Sequence, residues 1–174
     1  MKLSLFSAAM VIIASTAMAQ HAHQSGSSPS ETGQSQFAAI AEIVTLLRED
    51  DDTDWAQVDI QALRDHLVDM DNVTTGALVE TTVDEMTISF SVTGDENVSA
   101  SIRRMVLAHS PMLQQATGWA VTATEQADGA IMMIEVVSEE DMQQVAGLGF
   151  FGLMTIGAHH QQHHLMIAMG RSPH

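Results

Sequence analysis

The feature of this sequence that most restricts its fold is a pattern of strands and helices that occurs twice. Residues 86–92 (MTISFSV) alternate apolar and polar side chains, as a strand with one buried face does, and residues 77–83 supply its hairpin partner. Residues 96–109 then have helical periodicity, and Ser110-Pro111 is predicted to interrupt that helix. The pattern indicates a ββα unit over residues 77–116.

The same order of elements returns in the second half of the chain. Residues 119–125 and 130–137 are predicted strands, and they are joined by an Asp-Gly pair that is typical of tight hairpins. One helix is predicted to follow over residues 139–169. The two units, 77–116 and 119–169, predict an α+β fold, a two-layer sandwich in which a four-stranded antiparallel sheet carries helices on one face.

One or two further helices are predicted before the sheet. Apolar residues recur at helical spacing over residues 37–48, and Asp59 is a predicted N-cap for a second helix with a buried stripe. Between them lies an acidic segment, residues 49–54 (EDDDTD), which lacks the central glycine and closing glutamate of a calcium loop. We interpret this segment as a solvated linker within one domain over residues 37–174.

The first residues predict export. Lys2 precedes a short apolar stretch, and Ala17-Met18-Ala19 has the small-x-small pattern that signal peptidase recognises. We interpret residues 1–19 as a signal peptide and residues 20–36 as a disordered polar tether. Because no later stretch reaches the roughly 18 apolar residues of a membrane span, we expect no stable membrane anchor and a periplasmic or secreted location.

Charge and cysteine content restrict the function further. The chain has six basic and 22 acidic residues, and its formal net charge of −16 repels nucleic acid and attracts cations. Solubility explains this charge equally well. The sequence has no cysteine, so neither disulfides nor thiolate ligands are available. No Ser/His/Asp or cysteine nucleophile set is legible, and we do not predict an enzyme.

The most specific motif is a histidine-rich stretch near the C-terminus (AHHQQHHLM). On a helix, His159 and His163 are i,i+4 neighbours, as are His160 and His164, and their four rings fall within an arc of about 140°. Met166 lies on the same side. The glutamate of the HExxH zinc-protease motif is absent. The alternative is an exposed polar helix end, where histidines interact favourably with the helix dipole at its C-terminus.

Two other histidines have a methionine one helical turn away. Met105 precedes His109 by four residues, and His66 precedes Met70 by four. Each pair also has a purely structural interpretation. His109 could be a hydrogen-bonded residue of the core, and Met70 could be a core residue with His66 at the edge of the core. Two ββα units related by pseudo-symmetry would bring the helix ends that carry His109 and His159 near each other.

The donor set is therefore imidazole and thioether. Soft thioethers select Cu(I), and imidazole suits both copper oxidation states as well as zinc. The sequence predicts a periplasmic His/Met-rich protein that binds copper, as Cu(I) or Cu(II), for sequestration or for delivery to a copper-trafficking or copper-oxidising partner protein. The candidate ligands are His66, Met70, Met105, His109, His159, His160, His163, His164 and Met166.

Two other classes stay open. A zinc- or nickel-binding module would use the same histidines and ignore the methionines. A non-metal periplasmic interaction protein would use the histidines at its surface or for pH dependence. The apolar, glycine-rich residues 146–158 (AGLGFFGLMTIGA) are predicted to pack closely on the sheet and are a candidate surface for a homo-oligomer.

Overall fold

The structure is a computed structural model, and it describes residues 36–157 and 160–171 apart from the side chain of His160. The predicted signal peptide lies outside the described residues, as does the predicted tether except for Gln36, which begins the first helix. The elements are α1 (Gln36–Glu49), α2 (Ile60–Gly76), β1 (Leu78–Asp84), β2 (Thr87–Thr93), α3 (Glu96–Thr117), β3 (Ala120–Gln126), β4 (Gly129–Glu135), α4 (Glu139–Leu153) and α5 (His160–Ala168). None of the described helices is long and apolar enough to cross a membrane.

The four strands form one antiparallel sheet in the order β1-β2-β4-β3. Each hairpin contributes one central and one edge strand, and the two central strands pair with Phe90 opposite Met132. This arrangement confirms the predicted α+β fold with N-terminal helices. The two hairpins have strands of equal length and are each followed by a helix, as a duplicated ββα unit requires.

One face of the sheet is apolar and is covered by α3 and α4. Ile88, Phe90 and Val92 alternate with polar residues along β2, and each is at most 1 % exposed. They pack with apolar residues of both helices, including Ile102 of α3 and Phe150 of α4, whose ring centroid lies 6.4 Å from that of Phe90. We call this group the sheet core.

A second, smaller group of buried apolar residues lies among α1, α2 and α5, and we call it the helical cluster. Its buried members are Ile43, Leu47, Leu63, Leu67 and Ala168. Helix α2 belongs to both groups, because its first half packs in the helical cluster while Val73, near its end, packs in the sheet core. The two groups thus share helix α2.

Two predictions about helix ends are wrong. Pro111 does not interrupt α3, which continues to Thr117 because its apolar face continues through the fully buried Leu113. The single helix predicted over residues 139–169 is two helices, α4 and α5. Gly149 already leaves helical geometry inside α4, with φ of 59°, a conformation that glycine adopts without steric cost.

Candidate metal centre

Three histidine rings meet between α2 and α5. The ring centroid of His66, on α2, lies 4.8 Å from that of His163 and 5.6 Å from that of His164, both on α5. The centroids of His163 and His164 are 6.4 Å apart. We call these three residues the histidine cluster. It joins residues that are about one hundred positions apart in the sequence.

The end of α5 is fixed against the segment that leads into α2. The backbone N–H of Asp59 donates to the carbonyl oxygen of Ala168 at 2.7 Å. Gly170 follows with φ of 70°, and a Cβ atom there would lie 2.7 Å from the carbonyl oxygen of Gln57. Only glycine combines that backbone conformation with so close an approach. These contacts bring α5 beside α2 and set the position of the histidine cluster.

A contact with α1 and a cap on α2 also hold α5 and α2 in position. The side-chain amide of Gln161, on α5, donates to the carboxylate of Glu42 on α1. The carboxylate of Asp59 caps α2 by accepting from the N–H of Ala62 at 2.9 Å. Each helix that carries a cluster histidine is therefore held at one end by a polar contact as well as by apolar packing.

The cluster is largely withdrawn from water. His163 is 9 % exposed and His164 is 5 % exposed, while His66 is half-buried. Imidazole in its neutral form is the commonest side-chain ligand for metal ions.

The three rings lie near one another, but they are not arranged around one point as the ligands of a metal ion are. Within residues 36–157 and 160–171, the structure has no group of three or more His, Asp or Glu side chains already placed to hold a metal ion. Binding of one ion by the three imidazoles thus requires rotation of the rings about their side-chain torsions. The side chains of His159 and His160, two predicted ligands, are not among those that the structure describes.

A carboxylate on the same helix as His66 links α2 to α3. Asp69 accepts two hydrogen bonds from the guanidinium of Arg104, Nε to Oδ2 at 2.7 Å and Nη2 to Oδ1 at 2.5 Å. It also accepts from the hydroxyl of Ser101 at 2.7 Å. Burial alone would raise the pKa of Asp69, but these hydrogen bonds and the positive charges of Arg104 and His66 hold it below its ordinary value.

A cavity of about 600 Å³ opens between α2 and α3 beside this carboxylate. Its lining includes Asp65 and Asp69, the residues one position before and three positions after His66. The side chain of Asp69 is only 13 % exposed, whereas that of Arg104 is 61 % exposed. Solvent therefore screens the charge of Arg104 more than it screens the charge of Asp69.

The predicted methionine and histidine ligands fall into two regions. Met70 is half-buried against the helical cluster, and Met166 is half-buried on α5. Met105 instead packs against the sheet core, near His109, which is 4 % exposed.

His109 has a structural contact of its own. Its Nε2 lies 3.1 Å from the carbonyl oxygen of Leu153, at the end of α4, and donates to it. That nitrogen is the proton donor in this contact, so its lone pair is not offered to a metal. The contact brings α3 against the end of α4, while His159, the predicted neighbour of His109, lies outside the described residues.

The sequence analysis missed Asp69, Ser101 and Arg104. Asp69 and Arg104 are 35 positions apart, and no local periodicity connects them. The only available indication was the i,i+3 spacing of His66 and Asp69 on a predicted helix, which puts an acid beside a histidine.

Comparison with known proteins adds no assignment. No family model matches this chain, and neither the curated proteins nor the solved structures give a match to it.

Proposed function

We propose that this protein binds one copper ion, as Cu(I), between α2 and α5, and that it sequesters or delivers copper in the periplasm. The observation that carries the proposal is the contact of the His66 ring with the rings of His163 and His164. Rings from two helices at these distances can turn their nitrogens toward one ion. The function in copper handling follows from the ligand chemistry and from the predicted export of the chain.

The chemistry of the neighbouring side chains favours copper over harder ions. Met70 lies one turn after His66 on α2, and Met166 lies three residues after His163 on α5, so each helix offers a thioether near its imidazoles. Thioethers are soft ligands that select Cu(I). Cu(I) also accepts low coordination numbers, so two imidazoles and one thioether would suffice.

Charge supports the same choice. The three imidazoles bring no negative charge, and two of them are buried. The cost of moving an ion out of water rises with the square of its charge, so a monovalent ion is easier to hold there than a divalent one. The net charge of −16 raises the concentration of cations around the protein.

A competition titration tests this function. Untagged protein, freed of metal, is titrated with Cu(I) against a chromophoric chelator and in parallel with Zn(II). We expect one Cu(I) per chain, bound far more tightly than Zn(II), and weakened at least about tenfold by His163→Gln. The matched control is Gln162→Ala, an exposed neighbour on α5 that should bind Cu(I) as the wild type does.

Two outcomes contradict the proposal. Tighter binding of Zn(II) or Ni(II) than of Cu(I) would identify a module for those ions. Equal, weak binding of all ions, unaffected by His163→Gln, would leave the three rings as a packing contact in a periplasmic interaction protein.

A further inference from the structure

A buried site made of neutral ligands needs a nearby negative charge, and the chain has one. Asp69 lies three positions after His66, so the two side chains are neighbours on one face of α2. Its carboxylate is held in one orientation by hydrogen bonds from the hydroxyl of Ser101 and from Nε and Nη2 of Arg104. A carboxylate fixed in this way keeps its charge at a constant distance from the histidine cluster.

The charge of Asp69 lies close enough to His66 to act on an ion bound there. Side chains three positions apart on a helix have Cβ atoms about 5–6 Å apart, so the carboxylate of Asp69 would stabilise a metal ion held by the ring of His66. Asp65 is less suited to this role, because its side chain is 59 % exposed and bonds to Arg64 and Gln61.

We infer that Asp69 is the counter-charge of the copper site, and that Arg104 tunes copper affinity by partly neutralising it. This inference rests on the proposed function. Asp69 does not ligate the ion; it is a positioning residue that acts through His66. Arg104 is the more exposed partner, so its opposing charge is the more strongly screened of the two and leaves a net negative field at His66.

The inference predicts opposite effects for the two partners of one ion pair. Asp69→Asn keeps the shape of the side chain and removes its charge, so Cu(I) affinity should fall by about tenfold or more. Arg104→Gln keeps a donor for Asp69 and removes the opposing charge, so Cu(I) affinity should rise by about threefold. The double variant should lie between the two single variants.

Arg103→Gln is the control for overall charge. Arg103 neighbours Arg104 on α3, but its Nη1 donates to the carbonyl oxygens of Gln126 and Ala127, away from Asp69. This variant loses the same unit of charge as Arg104→Gln. Its Cu(I) affinity should stay within about twofold of the wild type at physiological salt.

The experiment is the Cu(I) competition titration of the full-length variants, with a thermal unfolding curve for each to establish folding. A merely structural ion pair predicts that Asp69→Asn and Arg104→Gln weaken binding alike, and that result would overturn the inference. Wild-type affinity in Asp69→Asn would also overturn it while the proposed function stands. If the wild type binds no Cu(I), the proposed function fails and this inference fails with it.

Discussion

The sheet core and the helical cluster differ in how they are held together. Among the described residues, the sheet core contains 16 buried apolar residues and the helical cluster contains five. The helical cluster has instead three imidazoles at its α2–α5 contact. Buried apolar area is the main source of stability, so the sheet region should be the more stable of the two. The difference indicates that a bound ion would add the most stability to the helical region.

The largest expected effect is in the sheet core. Leu113 is fully buried in the sheet core, so Leu113→Ala should cost about 3–5 kcal/mol of unfolding free energy, a large part of the stability of a domain of this size. The measurement is urea denaturation followed by circular dichroism.

The matched substitution in the helical cluster is Leu63→Ala, at a position that is also fully buried. We expect a smaller loss, about 2–3 kcal/mol, confined in hydrogen exchange to α1, the first half of α2 and α5. Equal losses, with the sheet opening in both variants, would mean that the two regions unfold as one cooperative unit and would remove the distinction between them.

Binding of Cu(I) should stabilise the helical region more than the sheet region. At a free Cu(I) concentration of 100 times Kd, the stabilisation is about 2.7 kcal/mol. We expect hydrogen exchange to slow in α2 and α5 and to change little in β2 and β4. His66→Gln should abolish this protection. Protection that appears first in the sheet would show that the ion binds elsewhere, for example near His109.

The helix caps give a smaller contrast. Asp59 accepts one backbone N–H at the start of α2, whereas Asp95 accepts two, from Asn97 and Val98, at the start of α3. Replacement by alanine should cost about 1 kcal/mol at each site, and more at Asp95. Thermal unfolding of the two variants measures the difference, and a larger loss at Asp59 would contradict it.

The smallest effect is the pH dependence of the Asp69–Arg104 pair in metal-free protein. The folded-state pKa of Asp69 lies below its ordinary value, which is about 3.9 in an unfolded chain. Its contribution is therefore fully present above the unfolded pKa and is lost as pH falls through the folded one. The stability advantage of wild type over Asp69→Asn should be constant near neutral pH and disappear in acid, and an advantage that survives in acid would exclude the charge as its source.

The sheet could be predicted from the sequence because its determinants are local. The alternation in residues 86–92 and the Asp-Gly turn at residues 128–129 specify two hairpins within a residue or two of their actual ends. The ends of the helices were harder to predict from the sequence. Leu113 continues the buried face of α3 past Pro111, so tertiary packing outweighed the proline, and the break near Gly149 depended on one backbone conformation among several glycines.

The candidate site could be predicted only in part from the sequence. The histidines were singled out by composition and i,i+4 spacing, and the structure brings His66 and His163 together. Which pairs meet depends on the packing of α5 against α2, through contacts such as Asp59 with Ala168 that join residues over 100 positions apart. The ion pair of Asp69 with Arg104 is equally non-local.

If histidines from two helices hold the same ion, a double-mutant cycle in Cu(I) affinity will show it. His66→Gln, His163→Gln and the double variant are titrated, and His109→Gln with His66→Gln is the control cycle. If His66 and His163 bind one ion, removing the second histidine should cost little once the first is gone, giving a coupling energy of about 1–3 kcal/mol. We expect that coupling for His66 with His163 and none for His66 with His109. Additive losses for His66 and His163, or no loss in either variant, would contradict it.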